Sequence, residues 1–280
     1  MRIRRVAVLL DGGFFLKRLP KVVESRFRET PEAVAETARI LCKRHVQRLI
    51  GEAEGTTSSR WLDHVYRLFY YDARPYDGIA HHPIANRRIE FAKTEQARFR
   101  ESLFQELRQK RKFALRLGKV AKEGDWQIPS RLTKTLIKTR ELVPILESLM
   151  LNGSEGGGLS DLTEEQRRNL EKLIAAWKGF GEDDVSLILR QKGVDMRIGL
   201  DIASMTLKKQ ADTIILVTGD SDFVPAAKLA RREGVEFILD PMWQNVNDDL
   251  FEHIDGLVSV LRTGNRSDTS EERPDGPQEC

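Results

Sequence analysis

Cysteine is almost absent from this 280-residue chain, with only Cys42 and Cys280. Two thiols cannot build a disulfide framework or supply the ligands of a structural zinc site, so the composition points to a reducing compartment. Long apolar runs are missing as well. No stretch approaches the roughly 18 residues that cross a membrane. Near the N-terminus, Val6 to Leu10 is interrupted by Asp11, too early to form the apolar core of a signal peptide. A cytoplasmic protein without membrane contact is the expectation. There is also no G-x-S-x-G elbow, no phosphate-loop motif and no paired-His zinc motif, so neither a serine hydrolase nor a nucleotide cofactor is expected. The one His-His pair, His81-His82, is expected on the surface. What is present is an ordinary globular mixture, 40% hydrophobic and 32% charged, long enough for one enlarged domain or two small ones.

The formal net charge of +3 conceals a segregation. Between Arg87 and Arg140 there are 16 Lys or Arg against 6 Asp or Glu, a local excess of 10, so the remainder carries −7. Such a stretch can grip a polyanion, because Lys and Arg gain free energy by releasing phosphate counterions. It can equally be a solvated helix face.

Arg5-Val-Ala-Val-Leu-Leu10 followed by Asp11-Gly12-Gly13 has the pattern of a strand buried on both faces and then a tight turn. Thr30-Pro31-Glu32 opens a helix that keeps its apolar spacing through Val34, Ala38, Leu41 and Leu49. A second strand runs near Val65 to Tyr71. Later come a strand at Thr213 to Val217, a helix at Asp222 to Arg232 stopped by Gly234, and a strand at Val235 to Leu239. Strands alternating with helices predict an α/β fold with a mostly parallel sheet. From about 76 to 160 the rhythm breaks. Phe99, Leu103 and Leu107 fall four apart among Arg98, Arg100, Arg108, Lys110, Arg111 and Lys112, which reads as a basic, helix-rich insertion. Asn152 to Gly158 reads as a flexible joint, Thr163-Glu-Glu-Gln166 as a capping box, and 263–280 as a disordered polar tail.

Four aspartates ask for an explanation. Asp11 stands at the carboxyl end of the first strand, where open α/β sheets bind ligands, although an Asp before Gly-Gly also suits a plain turn. Asp220 and Asp222 follow another apolar strand, and as alternate residues of an extended segment they can converge on one ion. Helix capping by Asp222 or Ser221 accounts for only one of the pair. Asp201 lies three residues after Ile198 and four before Met205, on the apolar stripe of a helix, where an ionised carboxylate must be paired, hydrogen-bonded or metal-bound. Asp195 lies well round that helix from Asp201, in a place suited to capping it but still within reach of a shared site. Carboxylates gathered at strand ends repel one another, and a hard cation such as Mg2+ or Mn2+ relieves that repulsion.

Four stretches together resemble a known family: Val8-Leu-Leu-Asp11-Gly-Gly-Phe-Phe15, Phe69-Tyr-Tyr-Asp72-Ala-Arg-Pro75, Gln191-Lys-Gly-Val-Asp195-Met-Arg-Ile-Gly-Leu-Asp201 and Val217-Thr-Gly-Asp220-Ser-Asp222-Phe-Val-Pro-Ala-Ala227. In order and spacing they are similar to NYN domains of the LabA-like group, relatives of the PIN nucleases. The likeness spans roughly 4–80 and 185–261. It implies a PIN-like three-layer α/β/α sandwich over 1–262, carrying 76–160 as the insertion. It also implies metal-dependent endoribonuclease chemistry, with Asp11, Asp201, Asp220 and Asp222 on the family's acidic, metal-binding positions and Asp195 on a further motif position. Lys192, Arg197 and Ser221 would then bind substrate, with Lys192 holding a phosphate near the metal, although Lys192 and Arg197 also suit plain charge balance at a helix terminus.

Three readings follow. In the first, the basic insertion grips RNA, the aspartates hold Mg2+ or Mn2+, and a water attacks the phosphodiester in line. In the second, the fold binds RNA or regulates without cutting, since a fold does not by itself fix an activity. A haloacid-dehalogenase-like phosphatase ranks below both, because its second Asp, two positions after the first, is here replaced by Gly13.

Overall fold

The computed structural model describes residues 4–53, 60–144, 147 and 163–261. It divides into two compact units, Met1–Tyr76 with Ala92–Val120 and Gln191–Cys280, and Asp77–Phe91 with Ala121–Arg190.

The first unit is built on strands β1 (Val6–Asp11), β2 (Val65–Arg74), β7 (Thr213–Val217), β8 (Glu236–Asp240) and β9 (Gly256–Leu257). Strand β5 (Phe113–Gln127) enters it through residues 113–120, and β6 (Ser186–Lys192) through its last two residues. The sheet order is β6-β5-β2-β1-β7-β8-β9. Every pairing from β5 to β9 is parallel. β6 is the exception. Gly118 abuts Lys192 and Gly124 abuts Ile188, so β5 and β6 run in opposite directions.

The alternation of β1 sets the layers. Val6, Val8 and Leu10 pack on one face with α1 (Gly12–Val22), α2 (Pro31–Ile50) and α3 (Glu95–Gln109). Ala7 and Leu9 pack on the other with α6 (Val194–Leu207) and α7 (Val224–Arg232). This is the expected three-layer α/β/α sandwich with a mostly parallel central sheet. Each fully buried Leu, Val or Phe contributes about 1.5–3 kcal/mol, and β1 buries Val6 through Leu10 without exception. The caps agree with the sequence: Thr30 accepts from the Ala33 amide, and Pro31 sits in the first turn of α2.

The basic stretch is distributed differently from the expected 76–160 insertion. α3 turns Ala97, Leu103, Phe104 and Leu107 into the sandwich core, and its arginines occupy the remaining faces. The first half of β5 is a sheet strand paired with β2 from Leu68↔Phe113 to Arg74↔Lys119. Both belong to the first unit.

The second unit contains the antiparallel pair β3 (Ile79–His82) and β4 (Arg87–Glu90), the far half of β5, and the helices α4 (Ser130–Ile137) and α5 (Glu164–Lys178). The expected capping box is formed: Thr163 accepts from the Gln166 amide and Gln166 from the Thr163 amide. His82 corrects the surface assignment. It is buried, its Nδ1 accepts from the Ile84 and Ala85 amides, and its ring lies 4.8 Å from that of Trp126; His81 is exposed. The expected joint at 152–158 and tail at 263–280 lie outside the described residues. Among the described residues no helix is long and apolar enough to cross a membrane.

Candidate active site

Parallel register brings several strand ends to one edge. Leu10 pairs with Tyr70 and with Val217, and Val217 with Asp240, so the segments that leave β1, β7 and β8 begin side by side. This is the edge at which doubly wound sheets bind ligands.

Asp11 caps α1, its Oδ1 accepting from the Phe14 amide at 3.1 Å. Its Oδ2 receives a long bond of 3.4 Å from the Thr218 hydroxyl. The helix can start this close because residue 12 is glycine: a Cβ there would stand 2.6 Å from the Tyr70 ring and 2.7 Å from the Tyr71 carbonyl oxygen.

Thr218 also accepts from the Asp220 amide, tying the β7 turn to Asp11. Asp220 caps the single turn Ser221–Phe223 that precedes α7, accepting from the Asp222 amide at 3.0 Å. Capping, expected of Asp222 or Ser221, is thus done by Asp220. Asp220 and Asp222 are exposed, and Ser221 is half-buried between them.

α6 is opened by Gly193, in the left-handed region at φ 76°, rather than by Asp195. Asp195 sits exposed in its first turn, while Lys192 ends β6 just before it. Arg197 folds back to donate to the Gly193 carbonyl at 2.7 Å.

Electrostatics joins these groups. Burial lifts the Asp11 carboxyl to about 6 against the pull of the Phe14 amide, with Asp195 and then Asp72 adding to the rise. Asp195 is itself raised, by partial loss of water and then by Asp220 and Asp222. Asp11, Asp195, Asp220 and Asp222 therefore form one chain of mutually repelling carboxylates, and Asp11 has no cationic partner among the described residues. Asp201 is not part of it. Its carboxylate accepts from the Tyr71 hydroxyl at 2.9 Å and pairs with Arg116 at 3.0 Å. That answers the demand for a partner on the apolar stripe without an ion. Among the described residues, no three His, Cys, Asp or Glu side chains are placed together as an ion-holding group.

The candidate residues named from the sequence omitted Asp72. β2 alternates, sending Tyr71 toward α6 and Tyr70 and Asp72 toward the opposite layer. There Asp72 is fully buried, bound to the Arg100 guanidinium from α3 and to the Ala73 amide at 2.7 Å. Burial raises its carboxyl, and Arg100 opposes the rise. Gln191 reaches Asp72 and also lies beside Gly13, next to Asp11. The Tyr70 hydroxyl is buried near Asp72, Arg100 and Asp11 and finds no hydrogen-bond partner among the described residues. The available signal was the one that singled out Asp11, an Asp closing an apolar strand.

Residues 163–260 match the NYN domain, and NYN domains belong to the PIN-like nuclease superfamily. The match takes in Asp195, Asp201, Asp220 and Asp222 and points to a nuclease role. PIN-like nuclease domains generally use divalent metal ions and act on nucleic acid. No curated protein matches the chain. A crystal structure of a protein of unknown function from Vibrio parahaemolyticus is similar at a TM-score of 0.39 and 13% identity, covering 93% of this chain and 96% of that one.

Proposed function

We propose that the chain is a metal-dependent endoribonuclease of the LabA-like NYN group. One observation carries this reading: four carboxylates share the ligand-binding edge of the sheet, and Asp11, raised to about 6, lacks a counter-charge among the described residues. The donor set is all carboxylate oxygen, which fits Mg2+ or Mn2+. Asp11, Asp195, Asp220 and Asp222 would hold the ion only by drawing closer together, since no three of them stand as an ion-holding group in this structure; Asp201 would join only by giving up Tyr71 and Arg116. When bound, the ion supplies an acidified water and neutralises charge on the phosphate oxygens. The Phe14 amide fixes Oδ1 of Asp11, leaving the weakly held Oδ2 as the oxygen offered to a ligand. Lys192, Arg197 and Ser221, neighbours of Asp195, Asp220 and Asp222 along the chain, would hold the phosphate of RNA.

The test is cleavage of labelled single-stranded RNA, transfer RNA and DNA with Mn2+, Mg2+ or EDTA, by the wild type and by Asp220→Asn. Metal-dependent cutting of RNA that is lost in the variant supports the proposal. Binding without cutting under every metal would move it to the second reading, an RNA-binding or regulatory module. The pairing of Asp201 with Arg116 and Tyr71 favours that reading.

A further inference from the structure

Among the buried side-chain atoms of the described residues, four find no hydrogen-bond partner: Nε of Arg28, Nδ1 of His64, the Tyr70 hydroxyl and the Thr206 hydroxyl. Two of them lie where the strands begin. His64 stands just before β2, and Thr206 is near the end of α6, where the following turn is held by Arg5 at the start of β1 through the Lys209 carbonyl. Tyr70 is at the other edge, with Asp11.

Its position is set by register and by a glycine. Tyr70 pairs with Leu10, one residue before Asp11. Its ring meets that of Phe15 on α1 edge to face, with centroids 6.4 Å apart. A Cβ on Gly12 would stand 2.7 Å from Cζ of Tyr70, the carbon that bears the hydroxyl. The fully buried side chain therefore ends at the turn between β1 and α1. The charged groups around its hydroxyl are Asp72, Arg100 and Asp11. Arg100 has only donors. Asp72 is already served, at Oδ1 by the Ala73 amide and by Gln191 at 3.5 Å, and at Oδ2 by Arg100. Asp11 is the acceptor with capacity left, because its Oδ2 has only the 3.4 Å bond from Thr218. A carboxylate offers about four lone-pair sites, enough for a cation and a further donor together.

We propose that Tyr70 is a positioning residue for the divalent cation, its hydroxyl donating to the Asp11 carboxylate, directly or through one water, when the carboxylates gather round the ion. This rests on the metal-dependent reading above and deepens it. Carboxylates that ligate a metal are themselves hydrogen-bonded, and those outer partners set the affinity. A buried hydroxyl with no partner lowers stability, and phenylalanine would fill the same space without that cost. The Tyr70 hydroxyl is thus a donor held in reserve for the ion-bound state.

The experiment is thermal unfolding of the full chain in EDTA and then across a titration of Mg2+ or Mn2+, for the wild type, Tyr70→Phe and Thr206→Val. In EDTA, Tyr70→Phe should melt at or above the wild type. Its half-maximal stabilisation by the cation should need about 10–100 times more metal. Thr206→Val also removes an unpaired buried hydroxyl, but at the opposite edge, and should respond to the cation like the wild type. If Tyr70→Phe follows the wild-type metal curve, the inference is overturned while the metal reading stands. A Tyr70→Phe chain that melts well below the wild type in EDTA would show that the hydroxyl is already used without an ion, and would overturn it too. So would equal losses of metal response in both variants. If neither cation stabilises the wild type, the metal reading falls and takes the inference with it.

Discussion

Three strands of the sheet carry an aspartate at the same edge, and their fates differ. Asp72 on β2 is fully buried and bound to Arg100. Asp240 on β8 is equally buried, with its Oδ2 2.7 Å from Nε2 of His45 on α2 and its Oδ1 accepting from the Met242 amide. Asp11 on β1 has an amide, a distant hydroxyl and acidic neighbours. The residue type and the topological position are alike, so neither tells a structural carboxylate from a functional one. The partner does: two of the three are completed by the protein, and the third is left for something else to complete.

Removing a partner is the strongest way to break the contrast. Arg100→Ala leaves Asp72 buried without its cation and should cost about 3–5 kcal/mol, read by urea unfolding. A loss below about 1 kcal/mol would mean that Asp72 is no more satisfied than Asp11.

Asp11→Asn should act in the opposite direction. The folded chain holds the Asp11 proton to about pH 6, above its ordinary range. Stability is therefore lost as pH rises from about 4 to about 6 and is not recovered above that. Asparagine still caps the helix but carries no charge. In EDTA the variant should be more stable than wild type by about 2–3 kcal/mol at pH 8, with the two converging near pH 4. Added Mg2+ should raise the melting temperature of the wild type and leave that of Asp11→Asn unchanged. A wild type as stable as the variant at pH 8 in EDTA would show that Asp11 is not strained.

The smallest effect belongs to Asp201. Its Arg116 partner is 48% exposed, so Arg116→Ala should cost less than about 1 kcal/mol in thermal unfolding. A loss comparable to that of Arg100→Ala would make Asp201 another buried, protein-completed carboxylate.

The parts of the fold that declared themselves in the sequence are those in which period and punctuation agree. Val6 to Leu10, Thr213 to Val217, the Thr30-Pro31 cap and the Thr163 to Gln166 box need only local chemistry. β5 did not. Its Arg116, Lys119 and Lys122 were absorbed into a count of positive charge, and its place in the sheet depends on pairing with β2, which no local pattern records. The carboxylates at strand ends were legible as candidates. Which of them are neutralised was not, because Arg100 and Arg116 reach Asp72 and Asp201 across 28 and 85 residues.

The central place of β1 has a consequence for how the molecule is made. Leu10 is flanked by Tyr70 and Val217, so one edge of this strand, apolar from Val6 to Leu10, finds its neighbour only when about 200 further residues exist. A growing chain that adds about 5–20 residues per second carries that open edge until those residues are made, as a template for wrong pairing. The same delay keeps Asp11 and Asp220 apart until β7 has emerged. An unfinished chain is thus exposed to aggregation and still lacks the assembled carboxylates, and both conditions end together when β7 inserts.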